Sequence, residues 1–466
     1  MSDSSNKDSI KTVCEKIWSL ESSRDLFNLR IQNVPIWPLI RMSMYYRICT
    51  QTGIFSTPHS ERVTVRDALA FAQNSIRAPF RPAHRNTAQK KYLVFDHPRK
   101  VRVNDEYQDI YTSALLQTLP AEETEVYENW YSGHHLMPNT GNRNVLDDLA
   151  VGAAFAQLRP VRFTPEERQR ISTIENDLKE AFGQSFPLKK KIAREIRHHK
   201  FCVRYFTRLL TKKKPERIFL VVSYSWYKRA LITAAKKLGI ESVELQHGTF
   251  SPYHLGYNFP QASLTVECFP NRFFSFGDYW NRLARLPISA DKITTFGFAH
   301  FHTQLANLPK TERDGKRILF ISQGVIGKQL AKLCGALALA LPDYRIAYKL
   351  HPGEYTLWKT DYPALVEASK QPNIEIVDNN NSGLYEEFAR ATYMIGVFST
   401  AIYEGLALGC KTFVVDLPGV EYMDGLVENK MVIKVQSAEN IVDHIQQNTP
   451  LKSFDAEYIF KKVSSQ

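Results

Sequence analysis

Apolar positions along this chain fall into two patterns, and their succession sets the expected fold. Compact runs such as Tyr92-Leu-Val-Phe-Asp96 and Ile218-Phe-Leu-Val-Val222 show no alternation with polar residues. A strand covered on both faces has no solvent side to decorate, so such runs predict a parallel sheet. Between them lie longer stretches with apolar residues three or four apart, the period of a helix with one buried stripe. After residue 217 the alternation is regular. Strands are expected at 218–222, 243–245, 273–276 and 293–296, with helices at 225–238 and from 278 through 285. Gly239 and Gly297 close two of these elements.

A polar, proline-containing stretch, 307–315, is expected to link this series to a second one. There, strands are predicted at 317–322, 345–350, 375–377, 393–398 and 412–416. The intervening helices are 328–341, 384–391 and 400–408, with a last one at 438–447. Two such series predict an α/β chain of two Rossmann-like domains facing across a cleft. The expected division is 1–90 (helices and connector), 91–306 (first domain) and 316–447 (second domain), with 448–466 folding back on the first. Residues 1–50 read as one or two helices interrupted around Pro35 and Pro38, and 51–90 as a polar connector. The segment 36–48 is apolar with two arginines, which suits a packed helix or an interfacial one. Residues 164–182 are helical in composition.

Composition adds little except at one place. The chain has 466 residues, 44% of them hydrophobic, enough for two large cores. The polar N-terminus is no signal peptide, and no apolar run reaches the ~18 residues of a membrane span. Six scattered cysteines show no zinc or redox spacing, which suits a reducing cytosol. The net charge of +12, however, is concentrated. Between Lys189 and Arg217 there are twelve Lys and Arg against Glu195 and Glu216. Ile192, Ile196, Val203, Phe206 and Leu210 define one face of a basic helix over 189–214, and Arg194, Arg197, Arg204 and Arg208 the other. That face is either merely solvated or a contact for anionic inner-membrane lipid or a polyanionic glycan through 189–217. No aromatic platform accompanies it, so nucleic acid is not an expected partner.

The candidate chemistry sits at strand ends. Gln246-His247-Gly248 follows the strand 243–245, and an uncharged loop to Tyr257, including His254, comes next. His247 is either a catalytic base or a hydrogen-bonded residue of a turn. In the second series, Gly324 permits close backbone approach after a strand. Lys349 and His351 are two apart, so an extended strand end would put them on one side, before Pro352 turns the chain. Ser399 and Thr400 are good N-caps, whose helix would offer free N–H groups to phosphate. Glu404 lies one turn on, able to accept from a ribose diol, or simply well placed in a first helical turn. No Asp-x-Asp pair occurs, and His134-His135 and His300-x-His302 are isolated, so neither a metal nor another cofactor is expected.

Leu-Gln-His-Gly (245–248), His254-Leu-Gly-Tyr257, Phe276-Gly-Asp-Tyr-Trp280, Lys349-x-His351-Pro352 and Ser399-Thr400-x-x-x-Glu404 together resemble bacterial GT-B glycosyltransferases of surface polysaccharide assembly. Capsule, O-antigen and lipooligosaccharide enzymes are the nearest group. The chain is also similar to CDP-glycerol glycerophosphotransferases and to sialyltransferases with a Lys-x-His-Pro motif, over about residues 215–440. The resemblance implies a GT-B fold and a nucleotide-sugar donor. It implies an oligosaccharide or lipid-linked acceptor, with the enzyme at the cytoplasmic side of the inner membrane. It assigns His247 as base and His351 to the donor phosphate. Gly324, Lys349, Pro352, Ser399, Thr400 and Glu404 go to the donor; Gln246, Gly248, His254 and Tyr257 to the acceptor and its loop. Two departures stand out. Gln246 replaces the tryptophan usual in the glycerophosphotransferases, and the acidic motif of the sialyltransferases is not evident. Three other readings keep the fold: a CDP-glycerol-type polyol-phosphate transferase, a sugar-nucleotide 2-epimerase, which also pairs His-Gly with His-Pro, and a non-catalytic glycan-binding subunit.

Overall fold

A computed structural model describes residues 9–55, 72–76, 83, 88–98, 100–103, 106–130, 135–136, 143–261, 264–324, 326–379 and 383–463. Among these, two all-parallel sheets account for both alternating series. The first sheet runs Ile293–Thr295, Arg272–Ser275, Glu241–Leu245, Arg217–Val221, Tyr92–Phe95, Thr124–Glu128, Arg143–Val145. The second runs Ile374–Val377, Arg345–Lys349, Asp314–Ile321, Ala391–Gly396, Lys411–Val415, Ile433–Val435. The central strands are apolar throughout because helices cover both faces, and Leu93, Val94, Ile218, Leu319 and Ile395 are wholly buried. These are two Rossmann-like domains in the GT-B arrangement, preceded by a helical N-terminal segment.

In each sheet the order reverses about the strand that comes first in the chain, leaving a crevice at the carboxyl edge, where ligands bind in open α/β sheets. In the first sheet the crevice lies between Phe95 and Val221. In the second it lies between Ile321 and Gly396, the ends that lead to Gln323 and Ser399.

The N-terminal segment departs from expectation. Helix α1 is Ile10–Ser23 and helix α2 is Ile36–Gln51, unbroken by proline. Pro35 is the N-cap of α2 and Pro38 lies in its first turn, where a missing N–H leaves nothing unpaired. Ten of its side chains are buried, from Ile36 to Cys49, so α2 is a core helix and not an interfacial one. The buried pair Arg41–Glu21 joins the two helices (Nη2 to Oε2, 2.9 Å). Arg41 also donates to the carbonyls of Leu255 and Asn258, in the loop beyond His247. At its far end the segment reaches the second domain: Ile10 N–H donates to Glu421 (3.2 Å), and the hydroxyls of Tyr45 and Tyr422 are hydrogen-bonded.

The basic helix is Lys189–Lys213. It buries Ile192, Ile196, Phe206 and Leu210 as the spacing predicts, and leaves Arg194, Arg204 and Arg208 exposed. Two cations drop out of that row. Lys213 is buried against Glu125 at 2.5 Å, and Arg197 donates to the carbonyl of Arg159 at 2.7 Å. The connection between domains is shorter than expected, because Asp314 and Gly315 already belong to a strand. Most of the expected connector over 51–90 lies outside the described residues.

The chain end returns to the first domain. Trp280 Nε1 donates to the carbonyl of Ile459 (2.7 Å), Lys461 N–H to Phe276 (2.8 Å) and Phe298 N–H to Lys461 (3.0 Å). Gly277 makes this possible. Its backbone is extended, but a Cβ there would lie 2.4 Å from the carbonyl oxygens of Tyr458 and Ile459. Gly277→Ala is therefore expected to cost about 1–3 kcal/mol, as overpacking does. Removing residues 455–466 should cost a similar amount, and combining the two should add nothing further. Urea unfolding of the two single variants and the combination checks this; full additivity would contradict the contact.

Candidate functional site

His247 follows the strand Glu241–Leu245, and its orientation is set by three neighbours. Tyr257 Oη lies 2.9 Å from His247 Nδ1 and donates its one proton to Glu244 Oε1 at 2.8 Å. With that proton committed, Tyr257 Oη can only accept from the imidazole, so Nδ1 carries the hydrogen and Nε2 keeps a lone pair. Tyr224 Oη sits 3.2 Å from Nε2. Glu244 is buried and also accepts from Ser223 N–H (2.9 Å), while its Oε2 has no hydrogen-bond partner. Burial raises the Glu244 carboxyl above its usual range. Burial likewise holds His247 well below an ordinary imidazole, with His97, His254 and Lys228 adding to the effect.

Backbone geometry supports this cluster. Val222 adopts φ +60°, a conformation a β-branched residue rarely holds, and it directs Ser223 and Tyr224 toward Glu244 and His247. Gly256 is required by space. A Cβ there would stand 2.7 Å from the Tyr224 ring and 2.8 Å from His254.

A cavity of about 470 Å³ opens beside this turn, between the domains. The first domain contributes Gly248–Ser251 and His254; the second contributes Gln323, Phe398–Thr400, Tyr422 and Met423. A third wall comes from the N-terminal segment: Tyr46, Thr50 and Phe55. The domains touch directly here, since Thr249 N–H donates to Thr400 Oγ1 at 3.2 Å. His247 lies behind this wall, half-buried, with the Tyr224 hydroxyl over Nε2.

The expected site residues divide accordingly. Gly248, His254, Ser399 and Thr400 meet at the cavity. Ser399 caps its helix, accepting from Ala401 N–H, and His254, held down to about 4 by burial, accepts from Gly256 N–H. Tyr257 serves His247 and does not line the cavity. Gln246 is buried, its amide spent on Gly248 O (2.8 Å) and Phe276 N–H (2.8 Å), so it shapes the start of the loop.

Lys349, His351, Pro352 and Gly324 stand on the same carboxyl edge but outside the described cavity lining. The strand ends at Lys349, and the chain stays extended through His351 before Pro352 turns it. Lys349 turns to the carbonyl of Asn379, and the exposed His351 accepts from Gly353 N–H at 3.1 Å. Glu354 braces this turn by accepting from His351 N–H (2.6 Å) and Tyr362 Oη (2.7 Å). Glu404 is buried, accepts from Tyr385 Oη at 2.7 Å, and is pushed by burial up to about 7. One of its oxygens is thus already engaged.

His135 is not isolated, as its place in the sequence suggests. It bridges Glu128 and Asp147 at 3.0 Å each, beside Asp96, Lys100 and Arg143. Burial opposes its charge, but the two carboxylates prevail and raise it to about 9. His134 lies outside the described residues. His302 is bonded to the carbonyl of Phe460 (2.7 Å). Among the described residues no His, Cys, Asp or Glu group is arranged to hold a metal ion.

Sequence reasoning missed Tyr224, Glu244 and the α2 wall. Glu244, an acid inside the apolar run Val243–Leu245, was a usable signal; Tyr46 and Phe55 offered none.

No protein-family model matches the sequence, and no curated protein matches it. Among solved structures, a UDP-GlcNAc 2-epimerase from Methanocaldococcus jannaschii is 13% identical over 80% of this chain and 97% of its own, with a TM-score of 0.49. UDP-GlcNAc 2-epimerase from Neisseria meningitidis is 13% identical over 77% and 91%, TM-score 0.46. The glycosyltransferase SnogD from Streptomyces nogalater is 13% identical over 77% and 92%, TM-score 0.40.

The hydrogen-bond chain makes a spectroscopic prediction. In ¹⁵N-edited spectra His247 should be neutral and Nδ1-protonated, and should stay neutral as pH falls through 6.5. In Tyr257→Phe the Nδ1 proton loses its acceptor, and the population should move toward the Nε2–H form. An Nε2–H imidazole in the unaltered protein would refute the arrangement.

Proposed function

We propose that this chain is a nucleotide-sugar-processing enzyme, and that it transfers a sugar from a nucleotide donor to a bacterial surface glycan acceptor. One observation carries the reading. A neutral imidazole whose Nε2 lone pair faces the Tyr224 hydroxyl is held by Tyr257 and Glu244 just behind the cavity wall, on a turn hydrogen-bonded to the first residue of the opposing Thr400–Ala407 helix. A base and an anion-binding helix end facing one another are the two parts that displacement at an anomeric carbon requires.

In this reading the acceptor hydroxyl gives its proton to Nε2, directly or through Tyr224 Oη, which passes its own proton on. The acceptor oxygen bonds to the anomeric carbon as the bond to the nucleotide phosphate breaks, with inversion. The departing phosphate takes the electron pair and is stabilised by the Ser399–Thr400 helix end. Lys349, His351, Pro352 and Gly324 hold the nucleotide on the same edge, and Glu404 reaches a ribose hydroxyl. No step calls on a metal. The exposed Arg194, Arg204 and Arg208 would meet anionic lipid or a lipid-linked acceptor at a cytoplasmic membrane face.

The cap over the cavity favours a second reading. With Tyr46, Thr50 and Phe55 closing one side, room for a second substrate is limited. A 2-epimerisation of the nucleotide sugar needs none.

His247→Ala should lower turnover by about 10²–10⁴-fold while leaving the nucleotide-induced rise in melting temperature intact. Because its pKa is depressed, His247 keeps its lone pair as pH drops through 6.5, so the acid limb of the rate should lie below that value. A thermal-shift screen of CMP, CDP, UDP and GDP selects the nucleotide. Incubation with UDP-N-acetylglucosamine alone separates the reactions, since only an epimerase turns it over without an acceptor. Unchanged turnover in His247→Ala would remove the assignment.

A further inference from the structure

We infer that the interdomain cavity is a subsite for an uncharged pyranose, and that the N-terminal helical pair supplies its selective wall. This rests on the nucleotide-sugar reading and narrows it to a substrate class.

Charge is the first argument. Among the described residues lining the cavity there is no Asp, Glu, Lys or Arg, and the one imidazole, His254, is neutral. A carboxylated sugar, such as a uronic or sialic acid, would bring a full charge into a half-enclosed site with no counter-charge on its walls. Leaving a carboxylate without a partner in such surroundings is strongly unfavourable. The helix end at Ser399–Thr400 supplies only a partial charge, and in the nucleotide-sugar reading the phosphate takes it, so none is left for a carboxylate on the sugar.

The second argument is an unused polar atom. The amide oxygen of Gln323 is shielded from solvent and has no hydrogen-bond partner. The residue lines the cavity and is neutral, and a turn of its amide would present that oxygen as acceptor to a sugar hydroxyl.

The third is shape. Tyr46 stands 52% exposed at the cavity although it is a large ring, and Phe55, Phe398 and Tyr422 present further aromatic surface around it. A pyranose has one face rich in C–H groups and a rim of hydroxyls, so aromatic walls with a few polar groups match both parts. The wall is rigid. Tyr45, next to Tyr46, is bonded to Tyr422, and Arg41 fixes α2 to the loop carrying His254.

The pyranose could belong to the donor or to the acceptor, and paired ligands tell these apart. Calorimetry on the full chain would compare UDP-glucose with UDP-glucuronic acid, and methyl glucoside with methyl glucuronide, each pair differing only at C6. The neutral member should bind at least about tenfold more tightly, as expected for one uncompensated carboxylate. Discrimination among the nucleotide sugars places the donor sugar here; discrimination confined to the methyl glycosides places the acceptor. Tyr46→Ala and Gln323→Leu should each weaken the neutral member several-fold, and Gln323→Lys should lose or reverse the preference, all without altering affinity for UDP, the control that the variants fold. The inference is overturned if acidic members bind as tightly as neutral ones, if no neutral member binds, or if the neutral member keeps its full affinity in both Tyr46→Ala and Gln323→Leu. Discrimination among methyl glycosides with no binding of CMP, CDP, UDP or GDP would instead keep the subsite and remove the nucleotide reading.

Discussion

The buried pair between Arg41 and Glu21 holds the rest of the site in place. Taking two charges out of water is costly, and only a dense set of hydrogen bonds offsets it. Here the guanidinium meets a carboxylate and two backbone carbonyls, while Trp37 adds a bond to Glu21 at 2.7 Å. Phe27 and Phe259 lie against its faces. A lysine would not span these partners, since the planar fork reaches several acceptors at fixed angles. The carbonyls it holds belong to Leu255 and Asn258, on either side of Gly256 and Tyr257. Fixing them fixes the Tyr257 hydroxyl, hence the imidazole of His247 and the carboxylate of Glu244. The order of dependence thus runs from a helix pair outside both Rossmann-like domains to the group proposed as base.

The same chain of contacts explains why a buried acid is tolerated in a central strand. Glu244 occupies a position where its neighbours Val243 and Leu245 are apolar and buried. It keeps two hydrogen bonds on one oxygen and none on the other. Such a group destabilises the fold unless something else requires it, and holding Tyr257 in a single hydrogen-bonding role is a sufficient requirement.

Much of the architecture was legible before any coordinates, for a simple reason. Runs such as Tyr92–Phe95 and Ile218–Val221 have no polar side, and only a doubly covered strand satisfies them. Strand ends were legible too, so the positions of His247 and Ser399 followed. What could not be read was orientation. Lys349 and His351 are two apart at a strand end, but their spacing does not say that Lys349 turns to the carbonyl of Asn379 or that His351 accepts from Gly353 N–H. Tyr46 and Phe55 look like any residues of an apolar segment, because covering a core and lining a cavity use the same side chains. His135 has no acidic neighbour in sequence, and its carboxylate partners arrive from a strand and a helix that fold around it. Pro35 and Pro38 misled in the opposite sense: at a helix start, proline costs nothing.

Both chain ends cross from one half of the molecule to the other. Helix α1 begins against Glu421 in the second domain, and the segment after the second domain finishes on Trp280 and Phe298 in the first. A single apolar core accordingly runs without interruption from α1 through residues 250–301 into the second sheet. The molecule is stitched shut at two seams in addition to its one covalent connection. Severing the stretch 307–313 would leave the halves laced together, and neither half carries all the strands of chain that cover its own surface. An opening that swung the halves apart like the jaws of a hinge would have to break those seams, whereas a small twist about them would not.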